Sequence, residues 1–275
     1  MSAATRLEAH LATLPSVLVA YSGGVDSSLV AVAARRALGR ERSVAALGVS
    51  PSLASTQHAQ AQRVAHQFDL RLVEVETAEF SVPAYVANPV DRCYHCKSEL
   101  WSTLAAEATR RGLAAVVDGT NADDGGEHRP GLRAAQESGV RSPLLELGYT
   151  KTEVRAEARA LGIPVWDAPA APCLSSRIMY GLEVTPMRVR QVEAGEAVLR
   201  AAGVEGDLRV RHRGREARIE VAASQLDRVR ARHAAIAEQI LALGFDRVTL
   251  DLDGYRRGSQ LERAEPSLEI LAERA

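Results

Sequence analysis

The sequence predicts a doubly wound α/β domain on a mainly parallel sheet, followed by a smaller α+β domain. Three observations carry that reading. Strand-sized apolar runs at 17–20, 44–49, 71–75 and 114–118 alternate with helix-period segments at 27–38, 55–67 and 97–110. Such alternation lays parallel strands side by side with helices on both faces. The first run leads straight into Ser22-Gly23-Gly24-Val25-Asp26-Ser27-Ser28 at the start of a helix-period segment, a strand-turn-helix junction of the kind that holds phosphate. After residue 184 the pattern changes to a helix over 185–202, strands over 207–212 and 217–221, a helix over 223–243 and a strand over 247–252. That αββαβ order, with an Arg213-Gly214 hairpin turn, suits helices packed on one face of a mainly antiparallel sheet. The boundary is expected near Gly181-Leu182, giving domains 1–181 and 182–275.

Taken in order, the first strand delivers two adjacent glycines that let the backbone approach an anion and aim successive N–H groups at it. Hydroxyls of Ser22, Ser27 and Ser28 add donors at a helix N-terminus. The run lacks both the Gly-Lys-Ser/Thr ending of a Walker A loop and the spaced glycines of a dinucleotide fingerprint. It resembles the PP-loop of ATP pyrophosphatases, which cleave ATP between the α and β phosphates. The second strand ends at Ser50-Pro51-Ser52 and the fourth at Asp118-Gly119-Thr120-Asn121. Ligands of such folds collect at the C-terminal strand ends, so three loops are expected to line one crevice. Asn121 to Gly131 is too polar and Gly-rich for a regular element and reads as a long functional loop. The stretch from Ser267 reads as a terminal helix or a frayed end.

A net charge of -1 over 275 residues gives no global drive toward nucleic acid or an anionic membrane. No apolar run is long enough to span a bilayer, and the first residues lack a basic stretch followed by an apolar core, so a cytoplasmic protein is expected. Three cysteines in such a chain argue against a disulfide framework and for metal or thiol chemistry. Cys93 and Cys96 form a C-x-x-C and Cys173 stands apart. A closed zinc site would need a distant fourth ligand, three thiolates suit a [4Fe-4S] cluster with one open iron, and buried inert thiols are the plain alternative. Lys97 and Lys151 are the only lysines among 34 basic residues. Each is a candidate for a site needing a compact ammonium, set against chance survival, and for Lys151, as for Arg133, against a solvated helix face.

The ordered set Ser22–Ser27, Asp91-Arg92-Cys93-Tyr94-His95-Cys96-Lys97, Asp118 to Asp124, Arg129-Pro130-Gly131-Leu132, Arg141-Ser142-Pro143-Leu144 and Cys173-Leu174-Ser175-Ser176-Arg177 resembles the LarE family. That resemblance runs from about residue 15 to 258 and implies an adenine nucleotide alpha hydrolase-like fold. It further implies an ATP-dependent sulfur transferase that converts the two carboxylates of a pyridinium mononucleotide to thiocarboxylates for a nickel-pincer cofactor. On it, Ser22, Gly23, Gly24, Val25, Asp26, Ser27, Ser50, Gly119 and Arg133 are expected to bind ATP, with Val49 and Ser50 at the adenine. Asp26 and Asp124 are expected at Mg²⁺. Cys93, Cys96 and Cys173 are the expected [4Fe-4S] ligands, with sacrifice of Cys173 to dehydroalanine as the competing sulfur source. Arg209, Arg211 and Arg256, with Glu196 on the preceding helix, are expected at the substrate phosphate, where Arg forks suit the anion; a solvated hairpin face is the alternative. A sulfur donor, a downstream nickel-insertion protein and a homo-oligomer are the partners implied. Met179 departs from the family's proline.

A PP-loop tRNA thiolase is a second enzyme reading, disfavoured by the missing basic surface. Amidating relatives such as NAD synthetase leave the cysteines unexplained. A nucleotide-binding module without turnover is the non-enzyme alternative, and would release no pyrophosphate with any acceptor.

Overall fold

The computed structural model describes residues 5–124, 130–169, 171–256 and 267–274. The chain forms two compact units: residues up to Val82 with Asp91–Pro172, and Pro83–Val90 with the chain from Cys173 onward. In order, the elements are α1 (Arg6–Leu11), β1 (Val17–Ala20), α2 (Val25–Leu38), β2 (Ser43–Val49), α3 (Ser55–Gln67), β3 (Arg71–Glu76), α4 (Pro83–Val86), α5 (Arg92–Arg110), β4 (Ala115–Val117), α6 (Pro130–Glu137), α7 (Pro143–Glu146) and α8 (Lys151–Ala160). They continue with α9 (Pro186–Ala201), β5 (Leu208–Arg213), β6 (Glu216–Val221), α10 (Leu226–Ala231), α11 (His233–Ala242), β7 (Arg247–Asp251) and β8 (Leu268–Glu273).

The first unit is built on an all-parallel sheet in the order β3-β2-β1-β4. Alternate strand residues point to opposite faces. Val17, Val19, Ala45 and Leu47 pack with α1, α2, α3 and α8, while Leu18 and Ala46 pack with Trp101, Leu104 and Ala108 of α5 and Ala134 and Ala135 of α6. This is the doubly wound arrangement expected, with apolar runs because both sheet faces are covered. Every residue of α2 from Ser27 to Ala34 is buried, and Ala31, Ala33 and Ala34 keep it close to its neighbours. Helix α5 begins at Arg92, five residues before the expected 97. Residues 125–129, including His128, belong to the expected functional loop but lie outside the described residues.

The second unit has a sheet in the order β5-β6-β7-β8, antiparallel except for β6 with β7. Val210, Ile219, Val221, Val248 and Leu250 form one face under α9, α10 and α11. The register sets Arg209 opposite Glu220 and Arg211 opposite Arg218 on the other face. Two expectations are corrected. The tail from 267 is neither helix nor frayed end: its apolar residues add β8 to the exposed edge of β7, with a bulge between Val248 and Thr249. The single helix expected over 223–243 breaks at Arg232, whose φ of −121° and ψ of 16° are not helical. The expected boundary at 181/182 lies inside this unit. Asn88, fully buried with φ 55°, donates from Nδ2 to the carbonyls of Met179 (2.8 Å) and Leu182 (2.9 Å), and Tyr85 Oη bonds Ser175 Oγ at 2.7 Å. Those bonds tie 83–90 to the 173–184 segment. Among the described residues no helix is long and apolar enough to cross a membrane.

Candidate functional site

The phosphate turn leaves β1 with Tyr21 N still bonded to Ala46 O, then closes on itself. Ser22 N donates to Ser27 Oγ at 3.1 Å, the Ser22 and Ser27 hydroxyls meet at 3.1 Å, and Ser27 Oγ donates to Gly24 O at 3.2 Å. Gly23 adopts φ 73°, and a Cβ there would lie 2.6 Å from Ala61 Cβ. Gly24 caps α2 without a side-chain hydrogen bond, so the first-turn N–H groups of α2 have no intrahelical acceptor and face outward as an anion cradle. Ser28 departs from expectation: it is fully buried, one helical position round from the loop, and contributes no hydroxyl to the cradle.

Two residues not anticipated hold the loop from behind. Gln57 Nε2 donates to Ser22 O at 3.3 Å and Gln60 Nε2 to Gly23 O at 3.0 Å. With Ala61 they form one face of α3 at i, i+3, i+4 spacing. Turning both carbonyls toward α3 leaves the Gly23 N–H to the anion side, while the Gly24 N–H bonds Ser22 Oγ at 3.4 Å.

The β4 loop closes on the same turn. A Cβ on Gly119 would come within 2.7 Å of Ser27 N and 2.9 Å of the Asp26 carbonyl carbon, so only glycine allows that approach. Asp118 accepts from Thr120 N and Oγ1 at 3.1 and 2.8 Å, fixing the turn. Asn121, 2 % exposed, donates from Nδ2 to Asp26 Oδ1 at 3.0 Å, while its N–H bonds Asp124 Oδ2 at 3.2 Å. Asp26 and Asp124 are thereby gathered on one asparagine. Lys151 Nζ reaches Asp26 Oδ2 at 2.5 Å. It sits at the first position of α8, where Thr150 and Glu153 form a capping box and Lys151 N bonds Asp123 Oδ2 at 2.7 Å. One of the two lysines thus lies beside the turn rather than on a solvated face. The other, Lys97, lies over the Trp101 ring at 5.0 Å. Arg133 stacks on Tyr94 at 4.1 Å and pairs with Glu137 at 3.6 Å, so its partners among the described residues belong to α5 and α6.

Ser50 stands at the end of β2. Its hydroxyl donates to Glu79 Oε1 in a short bond, and Ser52 Oγ donates to the same oxygen at 3.0 Å.

Cys93 and Cys96 lie in the first two turns of α5 as thiols outside any disulfide, Cys93 exposed and Cys96 partly so. The thiolate is the form of cysteine that binds soft metals. Cys173, also outside any disulfide, belongs to the second unit. Its carbonyl accepts from Arg177 Nη1 at 2.9 Å and Ser176 Oγ at 2.7 Å. Among the described residues no three of His, Cys, Asp and Glu stand together as a metal site; by residue type alone, carboxylates suit Mg²⁺ with phosphate oxygens and cysteines suit an iron–sulfur cluster.

In the second unit Arg177, Glu196, Arg209, Arg211 and Glu220 are buried together. Arg177 Nε donates to Glu196 Oε1 at 2.9 Å and Arg211 Nε to Glu220 Oε2 at 2.9 Å. Glu196 therefore partners Arg177 directly, a pairing the sequence pattern does not announce. Arg209 has no carboxylate partner among the described residues; it donates to Leu208 O at 2.6 Å and stacks on Tyr255 at 5.0 Å. Burial first, then repulsion from Arg177, pulls its pKa down. Such a desolvated cation is stabilised by an anion. Arg256 lies 3.5 Å from Asp251, whose pKa burial raises. Met179 uses the N–H that a proline would lack, donating to His212 O at 3.0 Å.

The family described as NAD synthase matches residues 6–92, the stretch that carries β1 and the phosphate turn. "Uncharacterized protein slr1717" of Synechocystis sp. is 44% identical over 89% of this chain and 91% of its own length. The pyridinium-3,5-bisthiocarboxylic acid mononucleotide synthase of Lactiplantibacillus plantarum is 36% identical over 92% of this chain and 91% of its own. A subunit of the glutamine-hydrolysing GMP synthase of Methanoculleus marisnigri is 27% identical over 69% of this chain and 65% of its own. A PP-loop on a doubly wound sheet, and near full-length similarity to the mononucleotide synthase, show that the chain belongs to the LarE family of ATP-dependent, adenylating sulfur transferases.

Proposed function

We propose that this protein adenylates the carboxylates of a pyridinium dicarboxylate mononucleotide and converts them to thiocarboxylates for a nickel-pincer cofactor, releasing AMP and pyrophosphate. The observation that carries this reading is the 36% identity over 92% of the chain with an enzyme named for the bisthiocarboxylic acid product.

A carboxylate resists a sulfur nucleophile because its charge must be displaced and oxide is a poor leaving group. Attack of the carboxylate on the α-phosphorus of ATP solves both problems by making AMP the leaving group. The N–H groups of Gly23 to Ser27 and the Ser22 and Ser27 hydroxyls would take the charge that builds on pyrophosphate. Lys151 adds an ammonium beside them. Asp26 and Asp124 would hold Mg²⁺, which would supply positive charge against the phosphates. Asn121 and Lys151 keep the Asp26 carboxylate oriented for that duty.

Arg209 and Arg211, with Glu196 and Arg256 nearby in the chain's second unit, would receive the substrate's own phosphate. Cys93, Cys96 and Cys173 are the residues that would ligate a [4Fe-4S] cluster, which would supply the transferable sulfur. In the competing scheme the Cys173 thiolate attacks the acyl adenylate, AMP departs, and β-elimination leaves the sulfur on substrate and dehydroalanine at 173.

The test is pyrophosphate release with ATP, Mg²⁺ and the dicarboxylate mononucleotide. Asp26→Asn and Lys151→Met are each expected to slow it by about 10²–10³-fold, the usual loss on removing one preorganised charge-stabilising group. A folded Asp26→Asn protein with unchanged release would contradict the assignment.

A further inference from the structure

We propose that Glu79 fixes the hydrogen-bond polarity of the base pocket, so that the site selects a 6-amino purine nucleotide over a 6-oxo one. The inference rests on the reading of the β1 and β2 ends as the nucleotide site, and adds its base specificity.

Glu79 follows β3, the neighbour of β2, and is 2 % exposed. No part of the proposed chemistry uses it. Its Oε1 accepts from both Ser50 Oγ and Ser52 Oγ, and Ser50 Oγ also accepts from Ser52 N at 3.2 Å. The two hydroxyl oxygens lie 2.9 Å apart. Glu79 Oε2 is buried with no hydrogen-bond partner among the described residues. A carboxyl group with one oxygen unsatisfied is a cost that packing alone gives no reason to keep.

A serine hydroxyl has one proton and two acceptor positions. The proton of Ser50 is committed to Glu79 and one acceptor position to Ser52 N–H, so what Ser50 Oγ has left to offer a base is a lone pair. The exocyclic amino group of adenine donates to a lone pair; the 6-carbonyl of hypoxanthine or guanine presents a second lone pair there and leaves both oxygens unsatisfied. A site built to pair with a donor rejects an analogue lacking it far better than an apolar pocket does. Glu79 acts through Ser50 and is a positioning residue.

The experiment measures equilibrium binding of Mg·ATP and Mg·ITP to the full chain by calorimetry, without the dicarboxylate substrate. ATP is expected to bind about ten- to a hundredfold more tightly than ITP, the cost of one buried unsatisfied polar group. Glu79→Leu frees the Ser50 proton to turn toward a carbonyl, and should bring the two affinities within a few-fold. Ser50→Ala removes the oxygen altogether and should do the same; it decides the matter should Glu79→Leu fail to fold. Equal binding of ATP and ITP by the unaltered protein, or full discrimination retained in folded Ser50→Ala, would overturn the proposal alone. Binding of neither nucleotide would overturn the nucleotide-site reading and this proposal with it.

Discussion

His212 shows how one buried side chain ties stability to pH. It is 2 % exposed on β5, with Nε2 3.0 Å from Gln191 Oε1 and its ring 4.9 Å from that of Phe245. Burial, then the charge of Arg188, pushes its pKa down from 6.5 to about 4. The unfolded chain therefore takes up this proton at a higher pH than the folded one does. Its contribution to stability is fully present above about 6.5 and is lost as pH falls through the window down to about 4. The ring resonances of His212 should stay flat in a pH titration from about 8 to about 5.5; a transition centred near 6.5 would contradict the buried neutral imidazole. At this scale the sequence is most legible where a residue's constraint is local. Gly23 is readable as a glycine beside an anion, whereas the close approach of Gly23 to Ala61 and of Gly119 to Ser27 emerges only in the fold. His212 is not readable, since only the finished sheet reveals what covers it.

Among the elements, α3 illustrates how a helix outside the motif sets the motif's geometry. Gln57, Gln60 and Ala61 seat the phosphate turn through two carbonyls and one glycine contact. Gln60→Leu should raise the ATP KM about tenfold, one hydrogen bond plus the freedom regained by the Gly23 peptide, with little change in Tm. Gln60→Lys keeps a donor and should recover most of the loss. An unchanged KM in Gln60→Leu would show that the loop holds its shape unaided. Gln60 is invisible in the sequence because its partner lies 37 positions away. The strands, by contrast, are readable from apolar run length. The early start of α5 is hidden because Cys93 and Cys96 read as a ligand motif rather than as helix, and the break at Arg232 carries no Gly or Pro to mark it. Strand β8 escapes the pattern because its Glu- and Ala-containing segment gains its structure from the edge of β7, not from its own propensity.

For the molecule as a whole, the two units carry different residues of the proposed chemistry. The first holds the phosphate turn, Asp26, Asp124, Lys151 and the Cys93–Cys96 pair; the second holds Cys173 and the buried arginines. Family membership follows from similarity across both units, whereas the match described as NAD synthase covers residues 6–92. A nucleotide-binding module would need the first unit's turn alone. Five of the buried charged residues of the second unit, Arg177, Glu196, Arg209, Arg211 and Glu220, gain a reason under the substrate-phosphate reading that a structural sheet does not give them, because buried ion pairs are a poor source of stability. The most direct test uses the full chain, reconstituted without oxygen, with ATP, Mg²⁺, a sulfide source and the pyridinium dicarboxylate mononucleotide, following pyrophosphate and product mass together. The account predicts exchange of carboxylate oxygen for sulfur with AMP and pyrophosphate formed in step; pyrophosphate release without sulfur in the product, or neither event, would contradict it.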